Sequence, residues 1–122
     1  MTFTYTQKFT SPWGRLEDAG TTYTGAAQIS VDEVTPIGLT ADIPVAITFT
    51  QAGFKCMAIL TNLQNILINN IGGGAFSESI APGKMKFLTA VSGDTAGVEY
   101  DNGAPASAEG TLNIRVLYDP TP

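Results

Sequence analysis

The stretch NNIGGGAFSESIAPGKMK, residues 69–86, combines the glycine triplet Gly72–Gly74 with a Gly83-Lys84 dipeptide, the residue types of a phosphate-binding loop. A Walker loop has the form Gly-x-x-x-x-Gly-Lys-Ser/Thr, because backbone amides and the lysine hold the phosphates and the hydroxyl binds magnesium. Counting back from Gly83 puts Glu78 where the first glycine belongs, and Met85 occupies the hydroxyl position. A carboxylate inside the loop repels the anion it should hold. The dinucleotide pattern fails as well: after Gly72 and Gly74 it requires a third glycine where Ser77 stands, followed by a helix. The stretch reads as two turns, with glycine admitting positive φ in the first and Pro82-Gly83 suited to a type II turn in the second.

The rest of the catalytic inventory is short. The 122 residues contain no histidine, so there is no triad, no imidazole base and no ordinary zinc site. One cysteine, Cys56, has no partner for an internal disulfide and no base to activate it, and reads as a small buried hydrophobe. Glycoside chemistry needs two carboxylates held roughly 5 to 10 Å apart. The candidates are Glu17/Asp18, Asp32/Glu33 and Glu99/Asp101. Adjacent residues on a strand point to opposite faces, which disqualifies the first two pairs, and the third leads into a DNG hairpin signal. EYDNG is also too short for a calcium loop. No catalytic residue, cofactor or metal is expected.

Composition points to association. Charged residues make up 14% of the chain and hydrophobic ones 43%, although a small soluble domain ordinarily carries about a quarter charged residues. Either apolar surface is covered by another protein or by copies of the chain, or a threonine-rich surface keeps a neutral monomer in solution. The net charge of −5 and the dispersed Lys8, Arg15, Lys55, Lys84, Lys86 and Arg115 leave no footprint for nucleic acid. No apolar run approaches the roughly 20 residues that span a bilayer, and MTFTYTQKFT lacks the pattern of a signal peptide, so the expected product is made in the cytoplasm and left there unless it is exported or released by a route that needs no leader.

The elements are strands. Phe3, Tyr5, Gln7 and Phe9 alternate with threonines and Lys8; Ile43, Val45, Ile47 and Phe49 alternate with Pro44, Ala46, Thr48 and Thr50. Leu112, Ile114, Val116 and Tyr118 repeat the pattern near the end, and Tyr23, Gly25, Ala27, Ile29 and Val31 form an inward row over residues 21–31. Turn signals such as SPWG, EDAG, QAG, APG and SGD punctuate these runs. In MAILTNLQNILINNI, Leu60, Leu63, Leu67 and Ile71 recur at helical spacing, but four asparagines and Ile66 and Ile68 favour strand, turn, strand. Phe54 to Thr61 is apolar on both faces, the mark of a central strand or one covered by a neighbour. The expectation is an all-β chain, one antiparallel β-sandwich (jelly-roll-like) or small barrel over residues 1–122, with residues 1–12 as an extended arm or edge strand.

The segments FKCMAILTNLQNILINN, SIAPGKMKFLTA and TLNIRVLYDPTP, with Leu60 to Asn62, Ile66 to Asn69, Ile80 to Gly83 and Leu112 to Tyr118 as the matching residues, resemble a pattern met in small β-sandwich virion proteins of tailed bacteriophages. Residues 1–52 are unmatched, and Lys84 stands where that pattern more usually has an acidic or polar residue. The resemblance implies a structural component of a virion, such as a capsid decoration or cement protein or a head, neck or tail accessory. It further implies an assembly of copies, often a trimer, bound to the major capsid protein or another virion protein. Candidate subunit or shell contacts are Phe3, Tyr5, Phe9, Trp13, Met57 and Ile59. The competing reading is a carbohydrate-binding or host-recognition module that stacks sugars on Trp13 with Tyr5, Tyr23 and Tyr100; for Trp13 alone, a plug over the edge of the core is the blander alternative.

Overall fold

A computed structural model describes residues 1–34, 45–62, 66–69, 76–91, 93–100 and 110–121. Along them run β1 (Thr2–Tyr5), β2 (Lys8–Ser11), β3 (Gly14–Glu17), β4 (Thr21–Thr24), β5 (Ala27–Val34) and β6 (Val45–Thr48). A 3-10 turn at Gln51–Gly53 then leads into β7 (Phe54–Thr61), β8 (Ile66–Asn69), β9 (Phe76–Ile80), β10 (Lys86–Leu88), β11 (Thr95–Tyr100) and β12 (Thr111–Tyr118). The chain is all-β and antiparallel, with sheets packed against one another as in a sandwich or small barrel.

Two four-stranded sheets, ordered β10-β7-β12-β5 and β6-β11-β8-β9, enclose the core. Alternation from Thr111 to Val116 decides the orientation of β12: Leu112, Ile114 and Val116 are fully buried, and the register sets Ile114 opposite Ile59 and Val116 opposite Met57. Ile66, Ile68, Ala96, Val98, Ile47 and Ile80 complete the core from the other sheet. Burying an isoleucine of this kind contributes roughly 1.5 to 3 kcal/mol, so the row of β-branched side chains supplies most of the cohesion between the layers. Where residues 57–71 are described they are strand rather than helix: Phe54–Thr61 and Ile66–Asn69 belong to different sheets, and the turn expected between them lies outside the described residues at 63–65.

The inward row expected over residues 21–31 divides in two. β4 pairs with β1, whereas β5 pairs with β12, and the break falls at the buried Gly25. A Cβ there would stand 2.9 Å from Cγ of Leu117, a side chain on the outer face of β12 that is itself fully buried. Glycine thus lets the chain cross directly over Leu117 as it passes from one sheet to the other.

Residues 1–24 form a bent antiparallel ribbon. In its inner half Phe3 is opposite Tyr23 and Tyr5 opposite Thr21; in its outer half Lys8 is opposite Glu17 and Phe9 opposite Leu16. Thr6 and Gln7 therefore face Asp18, Ala19 and Gly20, one residue more, which makes a β-bulge. Gly20 adopts φ 81° there, and Asp18 Oδ1 accepts hydrogen bonds from the N–H groups of Gly20 at 2.8 Å and Gln7 at 3.2 Å. The inner half lies on the outer face of the first sheet, where the Tyr5 ring stacks on Phe87. Beyond the bulge, β2 and β3 pair with each other and, among the described residues, with no other strand.

Candidate functional site

The outer hairpin closes through Ser11-Pro12-Trp13-Gly14. Proline fixes φ at the first loop position, Gly14 takes φ 130°, and Ser11 Oγ both donates to Gly14 O at 2.9 Å and accepts from Trp13 N–H at 3.3 Å. Trp13 is held at the tip with 94% of its surface exposed. Phe9 and Leu16, paired across the strands, share one face and are 62% and 72% exposed. The opposite face carries Lys8, Thr10, Arg15 and Glu17, with an Arg15 to Glu17 ion pair at 3.2 Å. The hairpin is therefore two-faced, with its apolar face open to water.

Among the described residues no strand covers its edges either. Asp18 N–H donates to Gln7 O at 3.0 Å, so residues 7 and 18 form a hydrogen-bonded pair, and strict alternation makes Phe9/Leu16 the next one. The N–H and C=O groups of Arg15 and Glu17 consequently point away from β2, along the free edge of β3.

A second feature lies where the inner ribbon crosses the sheet: a cleft of about 410 Å³ lined by Phe3, Tyr5, Tyr23, Met85, Phe87 and Arg115, among others. The Tyr5 and Phe87 centroids are 4.1 Å apart, and Tyr23 tilts against Phe87 at 5.7 Å. Arg115 is already engaged, donating from Nη2 to Asp32 Oδ1 at 2.8 Å and from Nη1 to the carbonyl oxygens of Ile114 and Val31 at 3.0 and 3.3 Å. Asn113 Nδ2 also donates to Asp32, at 2.6 Å, and these bonds hold the Asp32 carboxyl below its ordinary value, that from Asn113 most strongly. Trp13 does not line this cleft.

No catalytic constellation is assembled among the described residues, and no three His, Cys, Asp or Glu side chains converge there on a metal-sized site. Glu17 pairs with Arg15, Asp18 holds the bulge, and Asp32 pairs with Arg115. Asp101 and Gly72–Gly74 lie outside the described residues. Glu78 is part of β9, and Ala81 to Lys84 forms the expected turn, with Gly83 at φ 73° and Lys84 N–H donating to Ala81 O at 3.1 Å. Cys56 is fully buried, and burial pushes its thiol up. No helix among the described residues is long and apolar enough to cross a membrane.

Of the expected contact residues, Phe9 and Trp13 are exposed and Phe3 and Tyr5 half-buried at the cleft. Met57 and Ile59 are not surface residues: both are fully buried between the sheets, because the β7 face that carries them looks into the core. The alternative that Trp13 plugs the edge of the core fails, because among the described residues no other strand lies alongside the ribbon beyond the bulge and Trp13 stands in water. Leu16 was not singled out from the sequence, although its place between SPWG and EDAG makes it the residue opposite Phe9 across a two-residue turn. A comparison with protein-family models, curated proteins and solved structures finds no match.

Proposed function

We propose that the chain is a non-enzymatic structural protein that works by binding other proteins, as a decoration or cement component of a bacteriophage capsid. The observation that carries this reading is the hairpin of β2 and β3, which holds Phe9, Leu16 and a fully projecting Trp13 in water. A two-stranded hairpin is marginal on its own, and an exposed apolar face with open strand edges is the surface a protein partner covers. Trp is also the residue type most enriched among interface anchors. The resemblance in the second half of the chain supplies the virion setting, with copies of the chain and the major capsid protein as partners.

The test is fractionation. Particles from cells that express the chain are banded on a density gradient and probed with antibody to it. Co-migration with assembled shells, lost in a Trp13→Ala, Leu16→Ala variant that stays folded, is the expected result. Recovery only from the soluble fraction overturns the reading.

Glycan recognition is the second reading, favoured by the aromatic cleft at Tyr5, Tyr23 and Phe87. It predicts saturable shifts of the Tyr23 ring resonances on titration with oligosaccharides, and unshifted resonances across a broad sugar panel count against it.

A further inference from the structure

We infer that β3 pairs antiparallel with β3 of a second copy of this chain, about a two-fold axis at Leu16. The inference rests on the protein-binding reading above and names one partner and one register for it.

Three features of the hairpin select that pairing. The first is which backbone groups are open. Arg15 and Glu17 present their N–H and C=O groups on the free edge, whereas those of Leu16 are turned toward Phe9. A two-fold axis at Leu16 sets Arg15 opposite Glu17 of the second copy, and Glu17 opposite its Arg15, as two hydrogen-bonded pairs that each exchange both bonds.

The second is charge. In this register each cross-strand neighbour on the polar face has the opposite sign, and the Arg15 to Glu17 contact within one chain, at 3.2 Å, becomes half of an alternating cluster of four charges. Other axes lose this. Centring on Arg15 or on Glu17 sets like charges face to face, which is destabilising. The free edge of β2, paired about Phe9, sets Lys8 opposite Thr10 and gains no ion pair. Side chains alternate with period two, so a one-residue slip also sends Leu16 to the wrong face.

The third is the apolar face. Pairing at Leu16 produces a four-stranded sheet ordered β2-β3-β3-β2, in which Phe9, Leu16 and their two equivalents form one strip. Leu16 meets Leu16 of the second copy at a non-hydrogen-bonded position, where side chains approach most closely. One marginal hairpin thereby becomes part of a larger sheet, and the strip remains available on its outer side to a third protein. Such a contact is two-fold, so the trimer implied by the family resemblance would use a different surface.

Sedimentation equilibrium on the full chain tests the inference through charge reversal. The wild-type chain is expected to reach dimer mass in the micromolar to millimolar range. Arg15→Glu alone and Glu17→Arg alone are each expected to weaken the dimer on the order of 10- to 100-fold, since each turns two attractive pairs repulsive. The double variant, and an equimolar mixture of the two single variants, restore opposite signs across the axis and are expected to recover dimer mass. Both positions are exposed, so circular dichroism should be unchanged in every variant. A wild-type chain that stays monomeric throughout, single variants that associate as the wild type does, or a mixture that stays monomeric overturns the pairing. A monomer found on particles removes this inference and leaves the virion reading, while a dimer absent from particles does the reverse.

Discussion

The ring of Tyr5 lies flat on that of Phe87, with centroids 4.1 Å apart and planes 10° from parallel. This contact joins the N-terminal ribbon to the outer face of the first sheet, at the row where Phe87 stands beside Ala58, Arg115 and Ser30 in consecutive strands. Phe87→Ala removes the ring from both Tyr5 and Tyr23 and is expected to lower stability by about 1 to 3 kcal/mol, below the full cost of a buried phenylalanine because the site is half exposed. Urea unfolding measures the loss. Amide exchange should show β1 and β4 loosened and β12 still protected.

Gly53 is the tightest of the described glycines. A Cβ there would lie 1.8 Å from the carbonyl oxygen of Asp119, whose N–H donates to Gly53 O at 2.8 Å. Gly53→Ala must move backbone and is expected to cost at least about 2 to 3 kcal/mol. Gly83→Ala provides the contrast: its Cβ meets open space, and only φ 73° is strained, so about 1 to 2 kcal/mol is expected. Equal losses in thermal or denaturant unfolding would contradict this ranking.

Asp32 is held below the usual carboxylate range, first by the hydrogen bond from Asn113 and then by that from Arg115. A carboxyl lowered in the folded chain favours the fold above its unfolded titration range, and that contribution disappears as the pH falls through the folded value. Asn113→Ala should therefore move the Asp32 titration upward, toward that of a free aspartate. Carbon-detected NMR of the carboxyl group reads the midpoint directly. The stability difference between variant and wild type should shrink in acid, and a midpoint unmoved by the substitution would remove Asn113 as the cause.

Trp13 makes its case through what it does not contribute to folding. With nearly all of its surface in water, Trp13→Ala is expected to change stability by no more than about 0.5 kcal/mol. Its fluorescence should be that of a solvated indole, open to acrylamide, and should shift to the blue only when a partner covers the hairpin. A blue-shifted, quencher-resistant emission from the isolated chain would mean that the tip is already buried.

The fold class was legible because alternation needs only local information. β12 displays it from Thr111 to Val116, broken only at the buried Leu117, and the two-faced character of Phe54–Thr61 anticipated a strand with neighbours on either side, β10 and β12. Which face of β7 looks inward was not legible, since both are apolar: Met57 and Ile59 meet the core, while Cys56 on the other face is equally buried. The division at Gly25 was hidden for a related reason. A glycine fits an inward row, and only its approach to Leu117, far along the chain, shows that it marks a crossing. In the candidate site, SPWG announced the turn, whereas EDAG, which also reads as a turn, supplies the Asp18 and Gly20 of a bulge whose place depends on the register of the whole ribbon. Leu16 gains its meaning only from its cross-strand partner.

The position of β12 within its sheet has a consequence for synthesis. It lies between β7 and β5, yet it comes last: Thr61 bonds to Thr111 across 50 positions of sequence, and Asp32 pairs with Arg115 across 83. On the ribosome, β5 and β7 emerge long before the strand that joins them, so the nascent chain carries β5 without its partner and β7 with the edge that faces β12 open until β12 is released. Contacts this distant in sequence slow folding, and exposed strands in the interim invite pairing with the wrong chain. Yield on overexpression should accordingly respond to translation rate and to chaperones that shield nascent strands.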